Sequence, residues 1–304
     1  SSAASDVYKR QYQHYADWSS AGFSGVGTNG LAFTDDVSMI AAAEAPTRQE
    51  IIFIGTSDVS GKVVAGIWNG STWASVLNIP LSDPSDLASY YNNFAVAYDA
   101  VSGDAMLVWG NGSTGASSLS YATWNGSSWS SIQSITAPVS GEVLHMQMAA
   151  NPRGHDMVLV AQTSAASNNQ FALVWNGSSW GNAQTLGSNT DKQYFEVNVA
   201  YEAQSGRAMV VYDASASASS SIQYRLWSGT AWSAESTITA PAGITATSEL
   251  YSTVVASDPG SNRLAIAAKN EAEQVWAAVW DGSAWGHEHL VTTSGVQLAE
   301  NHAT

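Results

Sequence analysis

The residues best placed for acid–base chemistry are Asp36, Glu142 and Glu196, each near the start of an apolar, strand-like run. Two carboxylates roughly 5–10 Å apart serve as general acid and base on a glycoside, so these three form the candidate catalytic set for a glycoside hydrolase or lyase. Around them stand Tyr90, Tyr91, Asn93, His145, Tyr194, Glu249 and Tyr251, an acidic and tyrosine-rich surrounding suited to a cleft. No two of the acids occupy equivalent strand positions, which favours scattered surface acidity. Asp35 and Asp36, or Asp83 and Asp86 in the stretch Asp83-Pro-Ser-Asp86, are the candidate calcium ligands, because calcium takes carboxylate and carbonyl oxygens. Neither stretch has EF-hand spacing. His287 and His289 alternate along one run and are the candidate pair for a transition metal, but no HExxH or paired carboxylate supports them. The chain has no cysteine, which excludes thiol catalysis and thiolate metal sites.

The more distinctive residues are the thirteen tryptophans. Eleven belong to one signature, clearest as Trp68-Asn-Gly-Ser-Thr-Trp73, Trp124-Asn-Gly-Ser-Ser-Trp129 and Trp175-Asn-Gly-Ser-Ser-Trp180. Trp227-Ser-Gly-Thr-Ala-Trp232 and Trp280-Asp-Gly-Ser-Ala-Trp285 are variants, and Trp18-Ser-Ser-Ala-Gly-Phe23 is a worn copy. Across a tight hairpin the first and sixth positions fall on one sheet face, so each indole pair meets across its turn. One reading has the pairs packing unit against unit. The other makes the second indole of each pair, with the turn residue beside it, a binding platform for the apolar face of a sugar. On that reading the ligand-binding residues are Trp73, Trp129, Trp180, Trp232 and Trp285 with Asn69, Asn125, Asn176 and Asp281.

The elements that must position these residues follow from the repeat. The leading tryptophans at 18, 68, 124, 175, 227 and 280 give spacings of 50, 56, 51, 52 and 53 residues. Such a period marks a repeat architecture. Each full period holds four short apolar runs separated by turn residues. One turn is of the type Asp99-Ala-Val-Ser-Gly-Asp104, and the last is the Asn-Gly hairpin. Runs of helical period are absent. Four antiparallel strands per unit make a propeller blade. The expected fold is therefore all-β: one propeller domain over residues 1–304, with six four-stranded blades. The N- and C-terminal strands are expected to pair and close the ring. A seven-bladed ring, or a piece of a longer array, is the alternative. Small residues Ala41, Ala97, Ala149, Val199 and Val255 are expected where the first strands crowd the axis.

On these motifs the chain resembles tryptophan-bearing propeller lectins of the fucose-binding and tectonin-like kind, and, less closely, sialidase-like propellers. The first resemblance implies a binding protein with sugar sites repeated from blade to blade. The second implies an enzyme with Asp-box turns (Ser-x-Asp-x-Gly-x-x-Trp) and a central arginine cluster. No Asp-box occurs here. Of the six arginines, Arg48, Arg153, Arg207 and Arg263 fall in or beside the first hairpin turns, at a rim.

Composition narrows the partners. Twenty-five acids against ten bases give a formal charge of -15 with no basic run, which argues against nucleic acid. No apolar stretch reaches membrane-span length. Charged residues make up 12% of the 304, and polarity comes instead from Ser, Thr, Asn and Gly, the mix of hairpin-rich extracellular or cell-envelope proteins. Asn69, Asn111, Asn125 and Asn176 each begin an Asn-Gly-Ser acceptor sequence, which turn chemistry already explains for the three in the signature. The expected function is a non-catalytic secreted or surface module that recognises a glycan or a protein through repeated hairpins and needs no cofactor, calcium apart. A structural or adhesion module of a larger surface protein is the alternative beside the glycosidase reading.

Overall fold

Alternating apolar runs and Asn-Gly turns produce an all-β chain. The computed structural model describes residues 18–19, 22–23, 39–57, 62–80, 92–111, 118–166, 169–187, 196–213 and 219–294. Among the described residues there are 22 strands and no helix. Strands β1 (Trp18–Ser19) and β2 (Gly22–Phe23) form a two-residue ribbon. Five four-stranded antiparallel sheets follow, each paired in chain order. The first sheet is β3 (Met39–Glu44), β4 (Ile51–Ser57), β5 (Lys62–Trp68) and β6 (Trp73–Pro80). The second is β7 (Phe94–Tyr98), β8 (Ala105–Gly110), β9 (Ser118–Trp124) and β10 (Gln133–Thr136). The third is β11 (Val143–Ala150), β12 (Met157–Thr163), β13 (Gln170–Trp175) and β14 (Trp180–Gly187). The fourth is β15 (Asn198–Tyr201), β16 (Ala208–Tyr212), β17 (Ile222–Trp227) and β18 (Ser236–Ile238). The fifth is β19 (Leu250–Ser257), β20 (Leu264–Asn270), β21 (Val275–Trp280) and β22 (Trp285–Thr292).

The first strands of consecutive sheets adjoin, β3 beside β7 and onward to β19. They are tied by bonds such as Met146 N–H to Asn92 C=O at 2.9 Å and Thr253 Oγ1 to Glu196 C=O at 3.1 Å. Ala97, Val199 and Val255 are buried there, while Ala41 and Ala149 are half-buried. The sheets stack face to face, so β8 and β12 are buried on both faces and read as unbroken apolar runs. Apolar clusters fill every junction between consecutive sheets; the second–third cluster, for example, joins Met106 and Ile135 to Leu159 and Phe171.

The expected ring of six four-stranded blades, closed by the terminal strands, is not what the structure has. Among the described residues, five sheets have four strands, the worn copy contributes the β1–β2 ribbon, and none of the sheets closes into a ring. Among the described residues, β22 pairs with β21 alone and no ladder joins the fifth sheet to the first. The physical reason is one of range. Chain-neighbour pairing builds each sheet from its own repeat, and even the worn copy pairs Trp18 with Phe23 and Ser19 with Gly22, with Phe23 in place of the second indole. A closed ring needs a ladder between strands from opposite ends of the chain, which no local turn signal specifies.

Candidate functional site

The five full signatures form as hairpins, with the two indoles of each facing one another. Ring centroids in the pairs lie 5.2–5.7 Å apart at interplanar angles of 51–59°. Four pairs pack against the preceding sheet: Trp124 and Trp129 on the first, Trp175 and Trp180 on the second, Trp227 and Trp232 on the third, Trp280 and Trp285 on the fourth. Trp124, Trp227 and Trp280 are buried. All five second indoles, Trp73, Trp129, Trp180, Trp232 and Trp285, are half-buried. They therefore seal a junction with one face and offer part of the ring to solvent.

The predicted polar partners have a local task. Asn69, Asn125, Asn176 and Asp281 are exposed, but each Oδ1 accepts the two backbone N–H groups two and three residues on, at 2.8–3.0 Å. These are Asx turns that hold the hairpin closed.

The junctions are of two alternating kinds. In the first, third and fifth sheets the residue two after the second tryptophan, Ser75, Asn182 or His287, sits at φ 47–56° where the ladder shifts register. The Ser75 carbonyl accepts the Trp129 indole N–H, and the Asn182 carbonyl accepts that of Trp232, both at 2.8 Å. At the second–third and fourth–fifth junctions no such bond forms, and the Nε1 atoms of Trp180 and Trp285 are buried without a partner. A tyrosine from the preceding sheet stands there instead. Tyr121 meets Trp175 and Trp180 edge-on at 5.7 and 6.3 Å, and Tyr224 meets Trp280 and Trp285 at 5.9 and 5.8 Å. The sequence reading missed these tyrosines. Their signal was available: each lies three residues before a leading tryptophan, hence on the opposite strand face, where Ala65, Ala172 and Ala277 stand in the other sheets.

Two grooves flank Tyr121 at the second–third junction. One, of about 440 Å³, is walled by Trp180, Ser134, Thr136, Ser179 and Asn182. The other, of about 470 Å³, is walled by Asp104, His155, Trp175, Gly177 and Gln133. In the second groove His155 Nδ1 lies 2.9 Å from Asp99 Oδ2, across the junction. Buried carboxylates grip the leading tryptophans elsewhere. Glu50 accepts the Trp124 indole at 2.9 Å, the Tyr98 hydroxyl at 2.8 Å and Arg48 at 3.0 Å. Burial would raise the Glu50 carboxyl, but the bonds from Arg48, Tyr98 and Trp124 together hold it below its ordinary range.

The acid–base candidates are placed differently. Asp36, together with the calcium candidates Asp35, Asp83 and Asp86, lies outside the described residues. Glu142 is half-buried just before β11, and Glu196 is fully buried just before β15. Both stand at the end of the sheets opposite the Asx turns. His145, close by in β11, is buried, and burial lowers its pKa to about 3, so it is neutral. His287 occupies the positive-φ step of β22, which breaks the strict alternation expected of it and His289. No group of three His, Asp or Glu able to hold a metal occurs among the described residues. No helix of the described residues is long and apolar enough to cross a membrane.

No known family description matches the chain, and neither does any curated protein. Solved structures do. BP39L lectin from Burkholderia pseudomallei superposes with a TM-score of 0.56 at 13% identity, over 83% of this chain and 69% of that one. AofleA from Arthrobotrys oligospora gives 0.49 at 12% identity, over 84% and 72%. A six-bladed β-propeller fungal lectin with fucose recognition, from Aleuria aurantia, gives 0.46 at 15% identity, over 83% and 78%. The likeness is one of fold: this chain has an all-β, propeller-like architecture distantly related to that of lectins.

Proposed function

We propose that the chain is a non-catalytic binding module that takes a saccharide in shallow grooves at its even-to-odd junctions, with Trp180 and Trp285 as the platforms. The observation that carries this is the groove at Trp180. A half-exposed indole lies there beside Tyr121 and a wall of hydroxyl and amide groups from Ser134, Thr136, Ser179 and Asn182. Aromatic faces stack on the apolar side of a pyranose, and neutral donors and acceptors match its hydroxyls. The fold likeness to a lectin supports the same reading. Trp129 and Trp232 serve binding less directly, since their N–H groups fasten neighbouring sheets. Two like sites on one chain would give multivalent capture. The hydroxyl- and amide-rich, lysine-poor and acidic composition supports an extracellular or envelope-associated setting, which fractionation of the producing cells would check.

A glycan array on the intact protein tests this beside melts of Trp180→Ala and Trp285→Ala. Loss of array signal in variants that remain folded supports it. An empty array for the parent protein defeats it and leaves the second reading, an adhesive or structural module that binds protein. The exposed apolar side chains Ile40 on the first sheet and Val254 and Val291 on the fifth favour that reading.

A further inference from the structure

The second–third junction lacks a side chain that two other junctions possess. At the first–second junction the Arg48 guanidinium bonds Glu50, whose carboxylate also holds the Trp124 indole, and it lies against the backbone of Gly126. At the fourth–fifth junction Arg207 bonds Glu202 through Nε at 2.9 Å and Nη2 at 2.7 Å. Its Nη2 also reaches the Gly282 carbonyl at 2.5 Å, and Glu202 takes the Trp280 indole at 2.6 Å. Carboxylate, guanidinium and indole thus recur as one cluster beside the hairpin glycine, whose carbonyl is bonded at the fourth–fifth junction.

The turn Asp99-Ala-Val-Ser-Gly-Asp104 has the same backbone as Glu202-Ala-Gln-Ser-Gly-Arg207. In both, the first N–H bonds the sixth carbonyl at 2.8 Å, and the fifth N–H bonds the first carbonyl at 2.9–3.0 Å. Asp104 therefore stands where Arg207 stands, while Trp175 and Gly177 match Trp280 and Gly282. Asp99 is one methylene shorter than Glu202. Its oxygens are taken by the Val101 and Ser102 N–H groups, at 2.7 and 3.0 Å, and by His155. The Trp175 indole consequently has no hydrogen bond among the described residues. The space an arginine fills elsewhere remains as the groove of about 470 Å³. Asp104 is half-buried on its wall, with no hydrogen bond or ion pair to its carboxylate among the described residues. Burial raises that carboxyl despite the nearby charge of Arg48, which is itself paired with Glu50.

We propose that this groove binds a guanidinium group brought by a ligand, the arginine side chain of a peptide or protein, in the place Arg207 holds at the fourth–fifth junction. The planar fork would donate to Asp104 on one side and to the Gly177 carbonyl on the other, with its face on Trp175. A compact, strongly hydrated ammonium matches this planar, aromatic-walled slot less well. The site is separate from the saccharide groove, which lies on the other side of Tyr121, and stands or falls without it.

Calorimetric titration of the intact protein with N-acetyl-arginine methylamide tests the proposal, with the citrulline and lysine analogues and glucosamine as further arms. The expected result is saturable arginine binding, weakened about tenfold or more both by the neutral citrulline analogue and by Asp104→Asn. Asp104→Arg reverses the charge on the groove wall and places the chain's own guanidinium there, and should abolish binding in a protein that still folds. The proposal is overturned by absence of saturable arginine binding to the parent protein, or by citrulline or lysine binding as well as arginine. Tighter binding of glucosamine than of arginine, or unchanged arginine binding by Asp104→Asn, would overturn it equally.

Discussion

Replacing Glu202 by alanine should destabilise the protein strongly although the residue touches no solvent-exposed groove. Its carboxylate is fully buried and accepts hydrogen bonds from Arg207, Ser205 and the Trp280 indole, the last from the neighbouring sheet. Truncation leaves the Trp280 indole N–H without its acceptor and takes the carboxylate from a guanidinium that keeps the Gly282 carbonyl. Breaking a buried ion pair costs about 3–5 kcal/mol, and an orphaned buried donor about 1–3 kcal/mol. The Arg207 side chain is 33% exposed, so water recovers part of the first loss. A net loss of about 3 kcal/mol follows, a large share of a typical total of about 5–15 kcal/mol. Thermal unfolding of Glu202→Ala should show it as a fall of roughly 5 °C in Tm, and guanidinium unfolding as a lower midpoint. Glu202→Gln, which keeps an acceptor for the indole, should lose less. In a double-mutant cycle with Arg207→Ala, the pair should show a coupling of about 1–3 kcal/mol. A Glu202→Ala protein that melts with the parent would refute the view that this carboxylate ties the fourth sheet to the fifth, and a cycle with no coupling would refute the Glu202–Arg207 pair.

Asn176→Ala removes the acceptor for the Ser178 and Ser179 N–H groups and should cost about 1 kcal/mol in chemical denaturation, with glycan-array signal retained, because that oxygen already serves the turn. Trp129→Phe should destabilise by about 1 kcal/mol more than Trp180→Phe, since the Trp129 N–H bonds Ser75 whereas the Trp180 N–H has no partner to lose; equal melts would contradict this. His145 has a folded pKa of about 3 against an ordinary 6.5, so between those values the unfolded chain binds more protons and stability rises with pH. Melts from acid to neutral pH should therefore be steeper for the parent than for His145→Gln, by at most about 1.4 kcal/mol per pH unit, and superimposable slopes would count against a buried neutral imidazole.

What could be read from the chain alone was what rests on local spacing. The Trp-Asn-Gly-Ser-x-Trp signature specifies a hairpin because asparagine closes an Asx turn and glycine takes positive φ. Both effects act within six residues, and all five full copies form. The roughly fifty-residue period likewise yielded four-stranded antiparallel units, since each strand pairs with its chain neighbour. The extrapolation from units to a closed six-membered ring failed, because closure depends on the terminal segments and not on the repeat. Within the site, the turns Asp99–Asp104 and Glu202–Arg207 look interchangeable as strings. Their difference emerges only where Arg207 meets Gly282 and Glu202 meets Trp280, 75 and 78 residues along the chain. One methylene and one reversed charge then decide whether a junction is filled or open. The alternation of indole partners is of the same kind: the sequence places a tryptophan every fifty residues or so, but whether its N–H finds a carbonyl depends on a bulge in the adjoining sheet. Hairpins are local, and the grooves between sheets belong to residues that meet only when the sheets stack.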